Sequence, residues 1–590
     1  MRSRTVRIGA GCSVDTTLAW PQMARHGQLD YFIVDYLYEA GVAAYAAERS
    51  SDPRTGFPAE FTGAELAPWM AQLLKQKIRI ITNAGALNPL VCAQALRVCM
   101  NEHGLTPRIA VVHGDDVRHV VTPEDSDMYT GEPLPQRLAS ANAYLGARPI
   151  AQALAQGADI VVTGRVVDSA LIVGPLMHEF GWAWDDYQNL GNATLVGHLL
   201  ECGPQPSGGI STDWREVDFS DMSFPIAECF DDGTAVITKV PGTGGRVSVG
   251  TCAEQILYEI GDPQRYFMPD VTCDFSEVKL EQIGPDRVRV SGARGYAPTT
   301  TYKTCCMEQQ GWRGVASGVL AGPHALEKGR KTAEAIVLRA QRLATEAGLG
   351  EFIGHSIELI GSGQSQGARG QACDLREIVY RVVMDHRDQR AVEPLPRVAR
   401  AAGVSMAPGT GGLLGASVTP LMRMYSVLLE KSKVRPMLTL DDDTRTVEVA
   451  VSGGFDSVSL PSSTPLVAPV PAQDPVRTVP LERLAWTRSG DKGNLSNIGV
   501  IARKAEYLPY LKAALTPRAV GQWFNHLYDG DASRARVDVY ELAGLNALNF
   551  LLHDALAGGA VASRRFDTMG KGLGQQIIDF PVPVPIGLLD

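Results

Sequence analysis

Five continuous apolar runs in the first 200 residues, each followed by a stretch of helical spacing, constrain this chain more than any other feature. The runs are "TVRIG", "LDYFIVDYL", "KIRIITNAG", "RIAVVHGDD" and "ADIVVTGR", and segments such as 91–102 and 137–156 lie between them. A run without polar alternation is buried on both faces. Strands alternating with helices build a parallel sheet covered on both sides. The class is therefore α/β, and the class locates the chemistry, because ligands of open parallel sheets bind beyond the carboxyl ends of the strands.

Those ends are rich in polar groups. The first run finishes in Gly9-Ala10-Gly11-Cys12-Ser13, and the second carries Asp35, Tyr36 and Glu39. The third ends at Asn83, the fourth in His113-Gly114-Asp115-Asp116, and the fifth at Arg165 with Asp168 close behind. Ordinary βα turns and helix caps account for any one of these. Five at one edge suit a polar substrate. His113 has the chemistry of a general base with Asp115 to orient it, and Asp35 is expected beside them as a third catalytic group. Asn83, Arg165 and Asp168 are expected to bind substrate. A divalent metal on Asp35, His113 and Asp115 is the alternative, although no HxH or HxxxH spacing supports it. No tightly bound cofactor is expected.

From 211 to 460 the pattern turns β-rich, with a hairpin around Pro285-Asp286 and a long helix over 325–347. The run "PSSTPLVAPVPAQDPVRTVP", residues 461–480, has six prolines and little periodicity, the composition of a semi-rigid linker. The expected organisation is a domain over 1–460 (a parallel α/β part, 1–210, then the β-rich part, 211–460). A linker over 461–478 and a smaller α+β domain over 479–590 follow. A chain of 590 residues is long enough for such a division. In the last domain the spacing predicts a helix over 547–557, which would put Asn546, Asn549 and His553 on one face.

That domain also holds "RSGDKGNLSNIGVIAR", residues 488–503. Ser489, Asp491, Lys492, Asn494 and Asn497 exceed what a turn requires. The stretch is expected to face the large domain or a neighbouring subunit and to close a shared pocket. Lys492 would be the anion partner, kept oriented and charged by Asp491, with Ser489, Asn494 and Lys571 (in "MGKGLGQQIIDF") as further binding groups. A glycine turn, "KVPGTGGRVSVGTCAEQ", places Gly242, Gly244 and Gly245 before a helix, an arrangement that can anchor a phosphate or carboxylate. A formal GxSxG, "GQSQG" around Ser365, raises a serine hydrolase as a rival, with Asp374, His386 and His553 as triad candidates.

Composition excludes several classes. A net charge of −10 disfavours a nucleic-acid or anionic-membrane surface. No uninterrupted apolar stretch is long enough to span a bilayer, and the first residues lack a secretory apolar core. None of the ten cysteines forms a CxxC pair, which disfavours zinc and iron–sulfur sites. A reduced, cytoplasmic setting is expected.

The stretches "RIGAG", "LDYFIVDYL", "RIITNAGALNP", "DIVVTGRVVDSAL", "SGDKGNLSNIGVIAR" and "GKGLGQQIIDFPVPVP" resemble, in the same order, the acyclic terpene utilisation AtuA family. The resemblance implies a large AtuA domain and a carboxy-terminal domain of ferredoxin-like fold, without any iron–sulfur meaning. It also implies catabolism of citronellol- and geraniol-type acids as coenzyme A thioesters. The expected function is lyase or hydratase chemistry on a branched acyl-CoA or carboxylic acid, CoA entering as part of the substrate, in a homo-oligomer. A non-catalytic acyl-CoA-binding subunit is the other rival.

Overall fold

Strands Val6–Cys12, Tyr31–Asp35, Arg79–Thr82, Ile160–Thr163 and Ile109–His113 lie side by side in that spatial order, every neighbouring pair parallel. The fold is seen in a computed structural model, which describes residues 4–370, 375–449, 451, 453–454 and 475–589. Alternate residues serve opposite faces of the sheet, as the strand period demands. Ile8, Ile33, Ile81 and Val161 enter one core, while Phe32, Val34, Ile80 and Val162 enter another with Trp20 and Phe61. The strand Ile160–Thr163 inserts between Arg79–Thr82 and Ile109–His113. That insertion brings the ends carrying Asp35, Asn83 and Arg165 next to one another.

Antiparallel strands extend this sheet on both sides to eleven. Pro225–Cys229 pairs with Val6–Cys12, and Met437–Leu440 pairs with Ile109–His113. The expected hairpin at Pro285-Asp286 joins Lys279–Gly284 to Arg287–Ser291. A second sheet is built on two strands of 21 residues each, Thr301–Ala321 and Thr410–Glu430, with the helix Ala325–Glu346 against it. Ser140–Ala143 pairs with Thr304–Met307 and ties this sheet to the first region.

The carboxy-terminal domain has a four-stranded antiparallel sheet, ordered Ala485–Lys492, Leu495–Ala502, Ala547–Leu552 and Val537–Leu542. Helices Leu508–Ala514 and Pro517–Trp523 belong to the same core, with Ile498, Val500, Leu511, Phe524 and Phe550. The helix expected over 547–557 is a strand. Ala547 to Phe550 is buried without interruption, so the apolar run of a covered strand mimicked a helical one. Asn546, Asn549 and His553 consequently share no helical face. The proline-rich linker falls mostly on residues 455–474, outside the described residues. Among the described residues, no helix is long and apolar enough to cross a membrane.

Candidate functional site

A cavity of about 630 Å³ opens where four parts of the chain meet. Arg165, Val167 and Asp168 come from the loop after Ile160–Thr163, and Lys303 from the long strand Thr301–Ala321. Glu259, Tyr266 and Met268 come from the segment after the helix Val249–Ile256, and Lys492 from the carboxy-terminal domain. The volume lies within the range of small-molecule sites, roughly 300–1,000 Å³. Apolar lining is supplied by Met128, Val167, Phe267, Met268, Pro269 and Leu428.

Most of the charges in this lining are neutralised within the protein. Arg165, 7% exposed, lies 3.2 Å from Asp168 Oδ1, donates to the Leu37 carbonyl and stacks 4.1 Å over the Tyr144 ring. Lys492 Nζ donates to Glu259 Oε2 at 2.8 Å. Burial opposes the charge of both partners, but their mutual attraction wins: the Lys492 ammonium is held well above its usual range and the Glu259 carboxyl below its own. Glu259 adopts φ 55°, the left-handed region that side chains disfavour, and the surrounding contacts hold it there. Lys303 differs. Its ammonium stands 5.7 Å from the Tyr144 centroid and 5.9 Å from that of Tyr129, and it forms no ion pair among the described residues. Among the described residues Lys303 is thus a cation of this lining that no carboxylate contacts directly, Glu39 supporting its charge only from a distance.

The sheet edge gathers only part of the expected group. Asn83 Nδ2 donates to Asp35 Oδ1 at 2.6 Å, and the Leu37 N–H donates to the same oxygen at 2.9 Å. Burial, reinforced by Asp168, pushes the Asp35 carboxyl well above its usual value, so Asp35, Asn83, Arg165 and Asp168 form one connected cluster beside the cavity. His113 stands apart from it. The antiparallel strand Met437–Leu440 sits on its edge and Thr439 Oγ1 lies 2.9 Å from its Nε2. Gly114, at φ 91°, then turns the chain so that Asp115 faces inward. There Asp115 accepts from Asn142 Nδ2 at 2.7 Å and from the Arg165 N–H at 2.9 Å, and burial pushes its carboxyl up to about 6. Asp115 therefore positions Arg165 rather than a histidine, and Asp35, His113 and Asp115 do not meet around one point. Among the described residues no group of three or more His, Cys, Asp or Glu side chains is arranged to hold a metal ion.

The stretch 488–503 is a hairpin, Ala485–Lys492 paired with Leu495–Ala502, with Gly493-Asn494 at its tip. It lies against the segment 257–261 of the large domain, and Lys492 reaches the cavity. A Cβ on Gly490 would come within 2.8 Å of Glu259 and Tyr258, and one on Gly499 within 2.6 Å of Leu257, so these glycines permit the approach. The partners differ from those expected. Glu259, not Asp491, orients Lys492, because adjacent strand residues point to opposite faces. Asp491 is buried, and this together with Glu259 and Glu39 pushes its carboxyl up to about 8. Ser489 Oγ donates to the Lys571 carbonyl at 3.0 Å and accepts from the Gly574 N–H at 2.8 Å. Asn494 Oδ1 accepts from the N–H groups of Leu556 and Gly558. Lys571 Nζ donates to the Tyr258 hydroxyl at 2.8 Å. Asn497 Nδ2 donates to the Leu257 carbonyl and to Asn549 Oδ1, and Asn549 Nδ2 to the carbonyls of Ile260 and Gly261. Lys492, Asn497, Asn549 and Lys571 fasten the two domains together, Ser489 and Asn494 brace the carboxy-terminal domain itself, and Lys492 alone of this group lines the cavity.

The glycine turn is also removed from the cavity. The N–H groups of Gly244, Gly245 and Arg246 donate to the carbonyls of Asp221, Asp218 and Ser207. The following helix opens in a Ser248–Thr251 capping box, and the N–H groups of Val247 and Val249 donate to Asp286 and Gln282, so most of the donors expected for an anion are engaged within the protein. Gly242 only turns the chain, at φ 79°. Ser365 lies in a short 3₁₀ segment, Gln364–Arg369, beside a separate cavity of about 210 Å³ lined also by His526 and Asp567. No hydrogen bond joins Ser365 to a histidine among the described residues. His386 Nδ1 accepts from the Asp388 N–H and His553 pairs with Asp538, while Asp374 lies outside the described residues.

Sequence reasoning overlooked Lys303, Glu201 and Glu259. Lys303 had a signal, a single cation inside the apolar strand "TTYKTCC"; Glu201 had one in its i, i+3 spacing from His198; Glu259 had none. No curated protein matches the chain. The family model of the acyclic terpene utilisation family protein AtuA matches residues 5–440, and that of the AtuA ferredoxin-like domain matches residues 479–583. Cavity, hairpin and both domains therefore belong to a member of the AtuA family, a family implicated in acyclic terpene utilisation and so in catabolism.

Proposed function

We propose that the cavity binds a branched, acyclic carboxylic acid or its coenzyme A thioester, and that the chain performs lyase or hydratase chemistry on it. The observation that carries this reading is Lys303, a half-buried cation that no carboxylate contacts directly among the described residues, in a cavity that also offers apolar wall from Val167, Met268 and Leu428. Such a cation favours an anion or a developing enolate, and an apolar wall favours a hydrocarbon chain. The chemistry of a fixed donor is most effective where water is excluded, and Tyr129 and Tyr144 flank this one. Calorimetric titration with citronellic and geranic acids and their thioesters, beside terpene alcohols of equal length, tests the reading. Acids or thioesters should bind at least tenfold more tightly than alcohols. Equal binding of alcohols would remove the role of Lys303. Tight binding without conversion of any thioester would favour a non-catalytic acyl-binding subunit. Labelling of Ser365 by a fluorophosphonate would favour the hydrolase.

A further inference from the structure

His198 and Glu201 close the helix Tyr187–Leu200, buried between Tyr266 and Phe275. The hydrogen bonds fix the place of one imidazole proton. Nε2 lies 3.2 Å from the Ile256 carbonyl, which can only accept, so Nε2 carries a proton. Nδ1 lies 2.9 Å from Glu201 Oε1, so a second proton occupies that contact. The Tyr266 hydroxyl also approaches Nδ1, at 3.4 Å. An imidazolium facing a carboxylate satisfies all of these contacts at once. Glu201 Oε2 has no hydrogen-bond partner among the described residues, and Glu201 lines the cavity. Helix and cavity are thereby joined through one carboxylate.

We infer that Glu201 is the base that removes a proton from the carbon next to the carbonyl of the bound acid or thioester, and that His198 is its positioning residue; this rests on the function proposed above. In the step, the C–H bond breaks and an O–H bond forms at Glu201 Oε2. The electron pair moves into the carbonyl as an enolate, whose charge Lys303 and Lys492 face. Reversal returns the proton to the same carbon, so atoms and charge balance without an oxidant or second reactant. A hydratase requires this proton transfer at the α-carbon, and a carbon–carbon lyase requires its return half, protonation of the enolate that cleavage releases. Burial pushes the Glu201 carboxyl up while His198 pulls it back, and the net effect is a carboxyl of raised basicity. The other titratable groups facing the pair are Asp168, Glu259, Lys492, Tyr266 and Cys202.

The test uses the whole chain and a saturated probe, 3,7-dimethyloctanoyl-CoA, in deuterium oxide, with mass spectrometry reading deuterium at the α-carbon. A saturated chain cannot be hydrated, so exchange isolates the proton step. The unaltered protein should bind the probe and exchange the α-hydrogen. Glu201→Gln should slow exchange by roughly 100-fold or more while the affinity stays within about threefold, and Glu201→Asp should restore part of the rate. His198→Asn should move the acidic limb of the pH–exchange profile upward, because the carboxylate loses its imidazolium. A histidine with only a packing role would lower the rate and leave that limb in place. Unchanged exchange in Glu201→Gln, an unmoved limb in His198→Asn, or binding without any exchange would each overturn the inference and leave the proposed function standing. Failure of the probe, the free acids and the other thioesters to bind at all would overturn both.

Discussion

Replacing Lys303 with methionine separates binding from folding. Methionine keeps the unbranched stem and its contacts with Tyr129 and Tyr144 while removing the charge. A carboxylate held by this ammonium makes a charge-assisted hydrogen bond worth about 1.5–3 kcal/mol, so affinity for a branched acid should fall roughly 10- to 150-fold. Stability should hold or rise slightly, because no protein carboxylate is orphaned and a half-buried charge is lost. Lys492→Met is the contrasting change. It strips Glu259 of the ammonium 2.8 Å away, and with the Lys492 side chain still 45% exposed the loss of stability should be about 1 kcal/mol. Titration calorimetry and scanning calorimetry on the three proteins give both quantities. If Lys303→Met binds acid within twofold of the unaltered protein, or melts as early as Lys492→Met, then Lys303 is a structural cation and the reasoning fails.

Three further outcomes follow from the hairpin and the groups packed around it. Asn549→Leu orphans the carbonyls of Ile260 and Gly261 and should cost about 2 kcal/mol or more, seen as an earlier thermal transition. Ser489→Ala removes contacts to Lys571 and Gly574 and should cost about 1–2 kcal/mol by urea unfolding, with acid affinity unchanged. Asp491, raised from an ordinary carboxylate value to about 8, keeps its proton in the fold after the unfolded chain has lost it. Its contribution should therefore fall by up to about 1.4 kcal/mol per pH unit between roughly pH 4 and pH 8. Asp491→Asn should flatten that part of the stability–pH curve, and a curve parallel to that of the unaltered protein would contradict the burial argument.

The parallel sheet was legible because strands buried on both faces leave continuous apolar runs, and the strand ends carrying Asp35, Asn83 and Arg165 did converge. The same logic placed His113 with them, since nothing local announces that the distant strand Met437–Leu440 will pair with its edge. Ala547–Leu552 was misread for a related reason: full burial erases the alternation that distinguishes strand from helix. Lys303 stayed hidden because one lysine in a strand of 21 residues acquires meaning only when Tyr144 and Tyr129 fold against it. The hairpin at 488–503 was correctly sensed as surplus to a turn, yet its side-chain partners lie mostly in the segment 257–261 and around Lys571 and Gly574. Contacts of such sequence separation leave no trace in spacing.

The docking of the Ala485–Ala502 hairpin on the segment 257–261 has a consequence for the order of synthesis. Glu259 emerges from the ribosome more than two hundred residues ahead of Lys492, the ammonium it pairs with. The large domain itself is complete only at Leu440, about 50 residues before Lys492, so at about 5–20 residues per second it stands for roughly 3–10 seconds as an unfinished vessel. During that interval its mouth bears an unmatched carboxylate, and Leu257, Tyr258 and the carbonyls of Ile260 and Gly261 are open to water. Only when the last fifth of the chain arrives is the vessel sealed. The finished site is a joint property of two units made at different times, so any shuffling of one unit between relatives must carry the matching half of the seam with it.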